Sequence, residues 1–493
     1  MVRRLWMPVW GLLLALLLVF ARAGPAAAAG GTDADWPTFD HDVSRSGVAV
    51  GGTAINSGNL HRLRRRTVNL DGTVDSSPIQ LRAITISGRR RDVVVVTTSY
   101  GKTIALDPLT GTKLWEFVPP GISAYAGTSQ ITEASPVADP DRQYVYSASP
   151  DGLIHKLDVR TGHELWSARV TLSPSSEKIS SALNLSGSSV IVTVSGYFDH
   201  EPYIGHVVTV DRASGRVTHV FNALCSNMHV LIAPEACPET STQTGGGSSI
   251  WARAGAVVEP RTGRLLVATA NGPFNGSSDW GDSVLELSTQ LTVLHNWTPA
   301  DAAQLERADQ DLGSTAPALL PPYHGYHLAV QGGKQGVLSL LNVDRLNGTS
   351  AGAGARMGGE LQDIRAPARQ PVYGAPAVWS SAGRIYVFVG DFDATAAYEL
   401  VGGGHPRLRL VWDKNIASTS PLIVDGLLYA YGCVRGVLRV MAPLTGKVLV
   451  TLPAGHGHWN SPIVVGGRII LPEGDANAHR TSGVLDIYHL PGW

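Results

Sequence analysis

The chain of 493 residues carries 39 Lys and Arg against 40 Asp and Glu, so its overall charge gives no general attraction to nucleic acid or to an anionic membrane. Only 16% of the residues are charged, and 55 Gly and 30 Pro favour many short strands and turns over long surface helices. Length alone would suggest about three domains of roughly 150 residues. A repeat, described below, instead predicts one large domain over residues 30–493.

The N-terminal residues have the pattern of a secretory signal. Arg3 and Arg4 precede an apolar run at residues 9–20 and small residues at 21–30. The apolar run is shorter than the roughly 20 residues that a spanning helix needs. We therefore expect a signal peptide at residues 1–29, no membrane span in the mature chain, and a periplasmic, cell-envelope or extracellular location; an uncleaved anchor is the alternative.

A repeated sequence organises the rest of the chain. Residues 103–106 are strand-prone, Asp-Pro-Leu-Thr-Gly at 107–111 is a tight turn, and a second strand-prone run begins at Lys113. The pattern returns at 153–166 and in weaker form at 207–220. A period near fifty residues predicts a repeat architecture.

Eight such units can be counted, each with a Ser-Pro or similar start, strand-prone runs and a turn. Their starts are Ser77, Ser135, Ser180, Ala254, Ala316, Ala375, Ser420 and Ser461. Four short strands per unit correspond to one blade of a β-propeller. The eighth unit stops after three strands, and we expect the run at 63–70 to supply its fourth. The predicted fold is all-β, an eight-bladed propeller of four-stranded antiparallel blades closed by an N-terminal strand.

The connections and cysteines give further expectations. The long segments 223–249, 298–311 and 347–370 should project from the ring, with a short helix at 301–305 and a mobile Gly/Ala-rich stretch at 350–359. Cys225 and Cys237 bracket one polar loop and can close as a disulfide in an oxidising compartment, with two free thiols as the alternative. Cys433 lies in an apolar run and should be buried. The basic residues at 62–66 are interpreted as a solvated strand edge.

The units resemble a known repeat. The sequence Ile-Ala-Leu-Asp-Pro-Leu-Thr-Gly-Thr-Lys-Leu-Trp at 104–115 is similar to the pyrroloquinoline quinone (PQQ) repeats of quinoprotein dehydrogenases, and the similarity covers nearly all of the mature chain. The resemblance implies the eight-bladed fold, although the family also builds non-catalytic scaffolds. Trp115 and Trp166 are expected to pack between neighbouring blades.

The resemblance also implies a set of site residues. Family members that are dehydrogenases stack the quinone on a Trp, hold Ca²⁺ with Glu, Asn and often Asp, use an Asp as base, and polarise the quinone with Lys or Arg. The corresponding candidates here are Trp251 for stacking, Asn271 for metal and cofactor, Asp309 and Asp311 for the base, with Asp309 also near the metal, and Lys334 for polarisation. For the Glu ligand the third unit offers only Asp199 and Glu201, of which Glu201 is the candidate.

Each candidate also has a purely structural interpretation. Trp251 can belong to the core, Asn271 to a turn, the two aspartates to caps, and Lys334 to a solvated hairpin. Most alcohol dehydrogenases of the class that the chain resembles place a vicinal Cys-Cys disulfide beside the quinone, and the chain has no such pair. It also has no Cys-x-x-Cys-His for a covalent haem, so an electron acceptor would be external. His456 and His458 are a weak metal pattern without a third ligand.

Two hypotheses follow for function. The favoured one is an exported scaffold that binds a small-molecule ligand or an unknown protein partner, and not nucleic acid. The alternative is a dehydrogenase that uses PQQ and Ca²⁺ to oxidise an alcohol or a sugar.

Overall fold

Eight antiparallel sheets stand around a central channel in a computed structural model, which describes residues 1–2, 35–197, 202–239, 247–348 and 357–493. In each sheet the four strands run in order from the channel to the rim, and consecutive strands pair antiparallel. The predicted eight-bladed all-β fold is confirmed. We number the blades 1 to 8 in the order of the sequence units.

The strands of the first four blades are short, as the turn-rich sequence predicts. They are Ile79–Ile86, Arg89–Thr97, Thr103–Leu106 and Lys113–Phe117 in blade 1, Val137–Ala138, Tyr144–Ser149, Leu153–Asp158 and Glu164–Arg169 in blade 2, Asn184–Ser186, Ser189–Gly196, His206–Asp211 and Val217–Asn222 in blade 3, and Val257–Val258, Leu265–Ala268, Val284–Leu287 and Val293–Trp297 in blade 4. Glu177–Lys178 adds a two-residue strand to blade 3.

The other four blades repeat this arrangement. They contain Ala318–Leu319, Leu328–Gln331, Val337–Asn342 and Gln362–Arg365 in blade 5, Ala377–Ser381, Arg384–Gly390, Thr395–Val401 and Arg407–Lys414 in blade 6, Leu422–Val424, Leu427–Gly432, Val437–Ala442 and Lys447–Pro453 in blade 7, and Ile463–Val465, Arg468–Glu473, Gly483–His489 and Arg64–Leu70 in blade 8.

Helices are few, and they lie in the connections. Ala302–Arg307 is the only α-helix in the part of the chain that the structure describes, one residue from the predicted start. The short 3₁₀ helices are Leu60–Arg62, Ile122–Ala124, Pro234–Ala236, Leu312–Ser314, Val343–Gly348, Pro367–Arg369 and Ala476–Ala478. The stretch expected to be mobile falls mostly outside the described residues.

The N-terminal strand closes the ring. Arg64–Leu70 pairs along its whole length with Gly483–His489, the third strand of blade 8, so the predicted closure is confirmed. Arg65 also forms an ion pair at 2.6 Å with the buried carboxylate of Asp486. The strand therefore contributes a specific electrostatic contact to blade 8 besides its backbone hydrogen bonds.

The repeated tryptophans join neighbouring blades. The indole nitrogen of Trp115 in blade 1 donates to the carbonyl of Val159 in blade 2 at 2.8 Å. The ring covers the turn at Gly162, where φ is 71° and a Cβ would lie 2.5 Å from Trp115. Trp166 packs in the same way on Gly215 of blade 3. The Thr-Gly turn is thus the surface on which the preceding blade's Trp packs.

One mouth of the channel is crossed by residues 36–53, which we call the strap. Trp36 pairs with Gln80 of blade 1, and Val48–Ala49 runs parallel to the inner strand of blade 7. Between them, buried Arg45 donates to the carbonyl oxygens of Leu183 and Ala254 in blades 3 and 4, at 2.9 and 3.1 Å. The strap closes this mouth, where the connections between first and second strands emerge.

Candidate functional site

A cavity of about 380 Å³ lies at the opposite mouth of the channel. Its walls come from the connections between second and third strands and from those leading to the next blade, and Trp251, Asp311 and Lys334 are among its lining residues. A cavity of this volume is within the range that holds small ligands.

The structure brings five of the candidates together. The Lys334 Nζ lies 2.7 Å from the Asp311 Oδ2 and 3.0 Å from the Asp309 Oδ1. It also lies 5.8 Å from the ring centroid of Trp251. The side-chain amide of Asn271 donates to Asp309 at 3.2 Å, and its backbone N–H donates to Asp311 at 3.0 Å. One lysine therefore links both aspartates and the tryptophan.

Local backbone geometry holds this cluster. Asp311 comes directly before the 3₁₀ helix Leu312–Ser314, and its carbonyl accepts the N–H of Lys334 at 2.9 Å. Gly332 precedes the lysine, and a Cβ there would meet Thr315 at 2.9 Å. Buried Asp282 accepts the N–H of Leu312 at 2.9 Å. The glycine-rich sequence around Lys334 is required because two connections pack closely here.

Burial and ion pairing act in opposite directions on the pKa values of Asp311 and Lys334. Burial raises the pKa of Asp311 by more than the Lys334 ammonium lowers it. For Lys334, burial opposes the charged form, but the ion pairs with Asp311 and Asp309 outweigh it and raise the pKa. The site thus combines a carboxylate with a raised proton affinity and a firmly charged ammonium.

A second charged cluster, which the sequence interpretation missed, forms part of the cavity wall. Arg253 contacts Asp75 at 2.8 Å, His458 contacts the same carboxylate at 2.9 Å, and Lys178 contacts Glu133 at 3.2 Å. Burial alone would raise the pKa of Asp75, but Arg253 and His458 lower it to about 2. His456, which forms the weak metal pattern with His458 in the sequence, is exposed and contacts the carbonyl of Val434.

An aromatic wall completes the cavity. Tyr373 lies with its ring centroid 6.0 Å from Trp251 and 4.5 Å from Trp459, and Phe392 lies 4.4 Å from Trp459. His458 and Trp459 both line the cavity. The cavity therefore has an ionic side and an aromatic side, which suits a flat ligand that carries charged groups.

The missed residues share a position in the repeat. Asp75, Glu133, Tyr373 and Trp459 each stand three residues before the proline at the start of a unit. Arg253 stands at the equivalent position of the fourth unit, where Ala256 replaces the proline. The corresponding residues of the other blades are Ser180, Ser314 and Ser418. A comparison of this one position across the eight units would have identified these residues as candidates.

A planar, multiply anionic cofactor fits the residues present. Trp251 offers a ring face, Lys178, Arg253 and Lys334 offer cations, and Ser180 is among the hydroxyl groups of the lining. PQQ, a flat ring system with carboxylates, has this chemistry.

A hard cation has a partial set of donors. The Oδ1 of Asn271 is buried and makes no hydrogen bond, and it belongs to the amide that contacts the Asp309 carboxylate. The amide oxygen of Asn271 and the carboxylate oxygens of Asp309 are of the type that Ca²⁺ prefers, although Ca²⁺ takes six to eight oxygen ligands. Asp199 and Glu201 lie outside the described residues. Elsewhere in the cavity, atoms of Asp75, Glu133 and His458 lie within 4.8 Å of one another, but Arg253 and Lys178 already neutralise these acids.

Two further features concern the chain around the site. Cys225 and Cys237 are joined by a disulfide, and Cys433 is buried as a free thiol. Among the residues that the structure describes, no helix is long and apolar enough to cross a membrane.

The closed ring of eight four-stranded blades, with a cavity at one mouth of its channel, defines the protein as an eight-bladed β-propeller. Residues 58–229 match the family model described as outer membrane protein assembly factor BamB, which is built from the PQQ repeat. Over these residues the chain is therefore similar to the PQQ-repeat β-propellers.

Known proteins of this kind are similar at low identity. The quinohemoprotein alcohol dehydrogenase ADH IIB of Pseudomonas putida is 26% identical over 212 residues, which cover 41% of this chain and only 30% of that relative. The quinohemoprotein alcohol dehydrogenase structure from Comamonas testosteroni has a TM-score of 0.67 at 15% identity, covering 94% of this chain and 82% of that one. A europium-containing methanol dehydrogenase has a TM-score of 0.67 at 16% identity, covering 94% and 99%. The structural likenesses show the shared fold.

Proposed function

We propose that the cavity binds a PQQ-type quinone together with a hard cation, and that the protein oxidises an alcohol or a sugar. The observation that carries this proposal is the convergence of Trp251, Asn271, Asp311 and Lys334, from separate connections, at one open mouth. An exported scaffold, the function favoured by the sequence alone, requires no such arrangement of acid, base and ring.

Each residue has a defined task in this proposal. Asp311 lines the cavity and takes the proton of the substrate hydroxyl, since its raised pKa makes it a better base than an ordinary aspartate. Lys334 donates a hydrogen bond to the oxygen on which negative charge develops. Asp309, with a side chain 67% exposed, joins Asn271 on the cation side. The bound quinone would supply the two-electron oxidant, and reoxidation needs an external acceptor.

Reconstitution tests the proposal. Purified protein is loaded with PQQ and CaCl₂ and assayed for dye reduction with a panel of alcohols and aldoses. We expect Asp311→Asn to bind PQQ but to lose dye reduction by a factor on the order of 10² or more. The exposed Asp393→Asn, on the same side of the ring, is the matched control and should behave like wild type.

The outcomes separate binding from chemistry. A wild-type protein that binds PQQ without oxidising any substrate removes the dehydrogenase and leaves a quinone-binding scaffold. A protein that does not bind PQQ would rule out both the dehydrogenase and the quinone-binding scaffold. We further propose that the chain acts outside the cytoplasm, as its signal sequence predicts; N-terminal sequencing of the exported protein should begin after Ala23 or Ala29.

A further inference from the structure

Four arginines on the strap side of the ring have no partner in the part of the chain that the structure describes. Arg62, Arg64, Arg89 and Arg90 are exposed, and no hydrogen bond or ion pair joins their side chains to another described residue. We propose that these four, which we call the basic rim, dock the protein on an anionic phospholipid surface. The expectation of a merely solvated strand edge at 62–66 gave them no such role.

The basic rim is continuous across three blades. The turn Leu60–Arg62 packs against Lys447–Pro453, the outer strand of blade 7. Arg64–Leu70 then forms the outer strand of blade 8, and Arg66 in it donates to the carbonyl of Leu109 in blade 1. The long first hairpin of blade 1 carries Arg89 and Arg90.

These residues lie on the same side as the strap. His489 pairs with both Arg64 and Arg468, so these two arginines lie at the same end of blade 8. Arg468 is two residues after Gly466, which forms a β-bridge with Thr53 of the strap. The hairpin with Arg89 and Arg90 joins first and second strands, and connections of this kind emerge on the strap side. The basic rim is therefore on the face opposite the cavity.

Nearby acids do not cancel its charge. Asp107 is paired with Arg91 at 2.7 Å, and Asp92 with Arg468 at 3.0 Å. Asp35 is paired with Arg142 at 2.6 Å. These three acids are thus already paired, and the four rim guanidiniums remain available for phosphate groups.

Exposed apolar side chains favour lipid over another polyanion. Leu109 is 51% exposed in the turn of blade 1, Leu444 is 48% exposed in that of blade 7, and Val50 of the strap is 80% exposed. Arginines mixed with exposed aliphatic tips suit a lipid interface, where guanidiniums meet headgroups and aliphatic tips enter the acyl boundary. A nucleic acid would give the aliphatic tips no comparable environment.

Vesicle flotation of the exported protein, without its signal sequence, tests this inference. Neutral phosphatidylcholine vesicles are compared with vesicles containing about 30% phosphatidylglycerol, at low salt and at about 0.5 M salt, because surface electrostatics are screened by salt. We expect at least a tenfold preference for the anionic vesicles, lost at high salt and lost in the variant R62Q/R64Q/R89Q/R90Q.

The matched control removes the same charge from the cavity side. The variant R307Q/R369Q/R435Q/R480Q changes four exposed arginines of the opposite face and should keep the full preference. Equal binding of wild type to both vesicles, or equal loss of preference in both variants, would overturn the inference. Rim-dependent binding to duplex DNA without any lipid preference would assign the surface to nucleic acid instead.

Discussion

Lys334 is the residue on which the candidate site depends most. Its ammonium contacts the carboxylates of Asp311 and Asp309, and only 18% of its side chain is exposed. Because Asp311 is buried, its negative charge is tolerated there only while the ammonium lies beside it. The lysine is therefore needed for the stability of the site as well as for the proposed chemistry.

Replacing Lys334 with Gln should destabilise the protein in a pH-dependent way. The pKa of Asp311 should rise further, and the free energy of unfolding at neutral pH should fall by about 2 kcal/mol. The loss should shrink on acidification, because protonated Asp311 carries no charge to compensate. Urea unfolding at two pH values measures this, with exposed Lys414→Gln as control; an equal loss at both pH values would contradict it.

The sequence predicted part of this site for a definite reason. Two consecutive units have sequences that match the family pattern, and a resemblance could therefore identify the site residues in them, Trp251, Asn271, Asp311 and Lys334. Arg253 is two residues after Trp251, but it belongs to no motif that assigned it to the site. Asp75, Glu133 and Trp459 come from distant units and meet only because the ring closes, which a local pattern does not reveal.

At the scale of elements, the contact between Trp115 and Gly162 shows what the repeat specifies. The turn needs a positive φ, and the indole of the preceding blade occupies the space where a side chain would begin. The sequence predicted this packing because the Trp and the Thr-Gly turn recur together. It did not predict that the closing strand would use Val68 on the equivalent Gly111.

Gly162→Ala should therefore destabilise the protein by about 2 to 3 kcal/mol, from backbone strain plus the clash with Trp115. Gly88→Ala is the matched control, since Gly88 has a φ of 75° but nothing within 4 Å of a built Cβ. It should show the strain alone, about 1 kcal/mol. Chemical denaturation of the two variants gives the difference; similar losses would mean that the Trp moves aside freely.

The buried carboxyl of Glu473 makes the stability of blade 8 sensitive to pH. Burial, aided by a hydrogen bond with Asp486, raises the pKa of Glu473 to about 8, although Arg65 of the strand opposes this. An unfolded glutamate titrates near 4.3. The folded state therefore holds an extra proton between these values, and the stability contributed by the neutral acid is lost as pH rises through about 8.

Glu473→Gln should remove this dependence. Wild type is expected to lose thermal stability between pH 5 and pH 9, and the variant should lose distinctly less, because glutamine does not ionise. Exposed Glu235→Gln should follow wild type. Melting curves across this pH range decide it, and parallel curves for wild type and Glu473→Gln would show that the carboxyl is already ionised.

At the scale of the whole molecule, the ring is open at one mouth and closed at the other. The repeat count predicted the ring and its closure, but nothing in the sequence indicated the strap, because its residues have no period and act largely through backbone hydrogen bonds. Arg45 is the exception, a buried guanidinium that ties the strap to blades 3 and 4. The closed mouth leaves the cavity as the accessible end of the channel.

Arg45→Met should lower the free energy of unfolding by about 3 kcal/mol, since it leaves several buried carbonyl oxygens without a donor. The control is Arg160→Met, which makes the same change in charge and side-chain length at an exposed position and should leave the free energy of unfolding nearly unchanged. Thermal unfolding compares them. A small effect at Arg45 would mean that the backbone contacts alone hold the strap.

The central claim is that the open cavity holds a PQQ-type quinone, and direct titration tests it. PQQ is added to the purified protein in the presence of Ca²⁺ while tryptophan fluorescence and melting temperature are followed. We predict saturable 1:1 binding that quenches fluorescence and raises the melting temperature, and that is lost in Trp251→Ala but kept in Trp379→Ala, a tryptophan in the first strand of blade 6. A wild-type protein that shows no saturable binding would contradict the account.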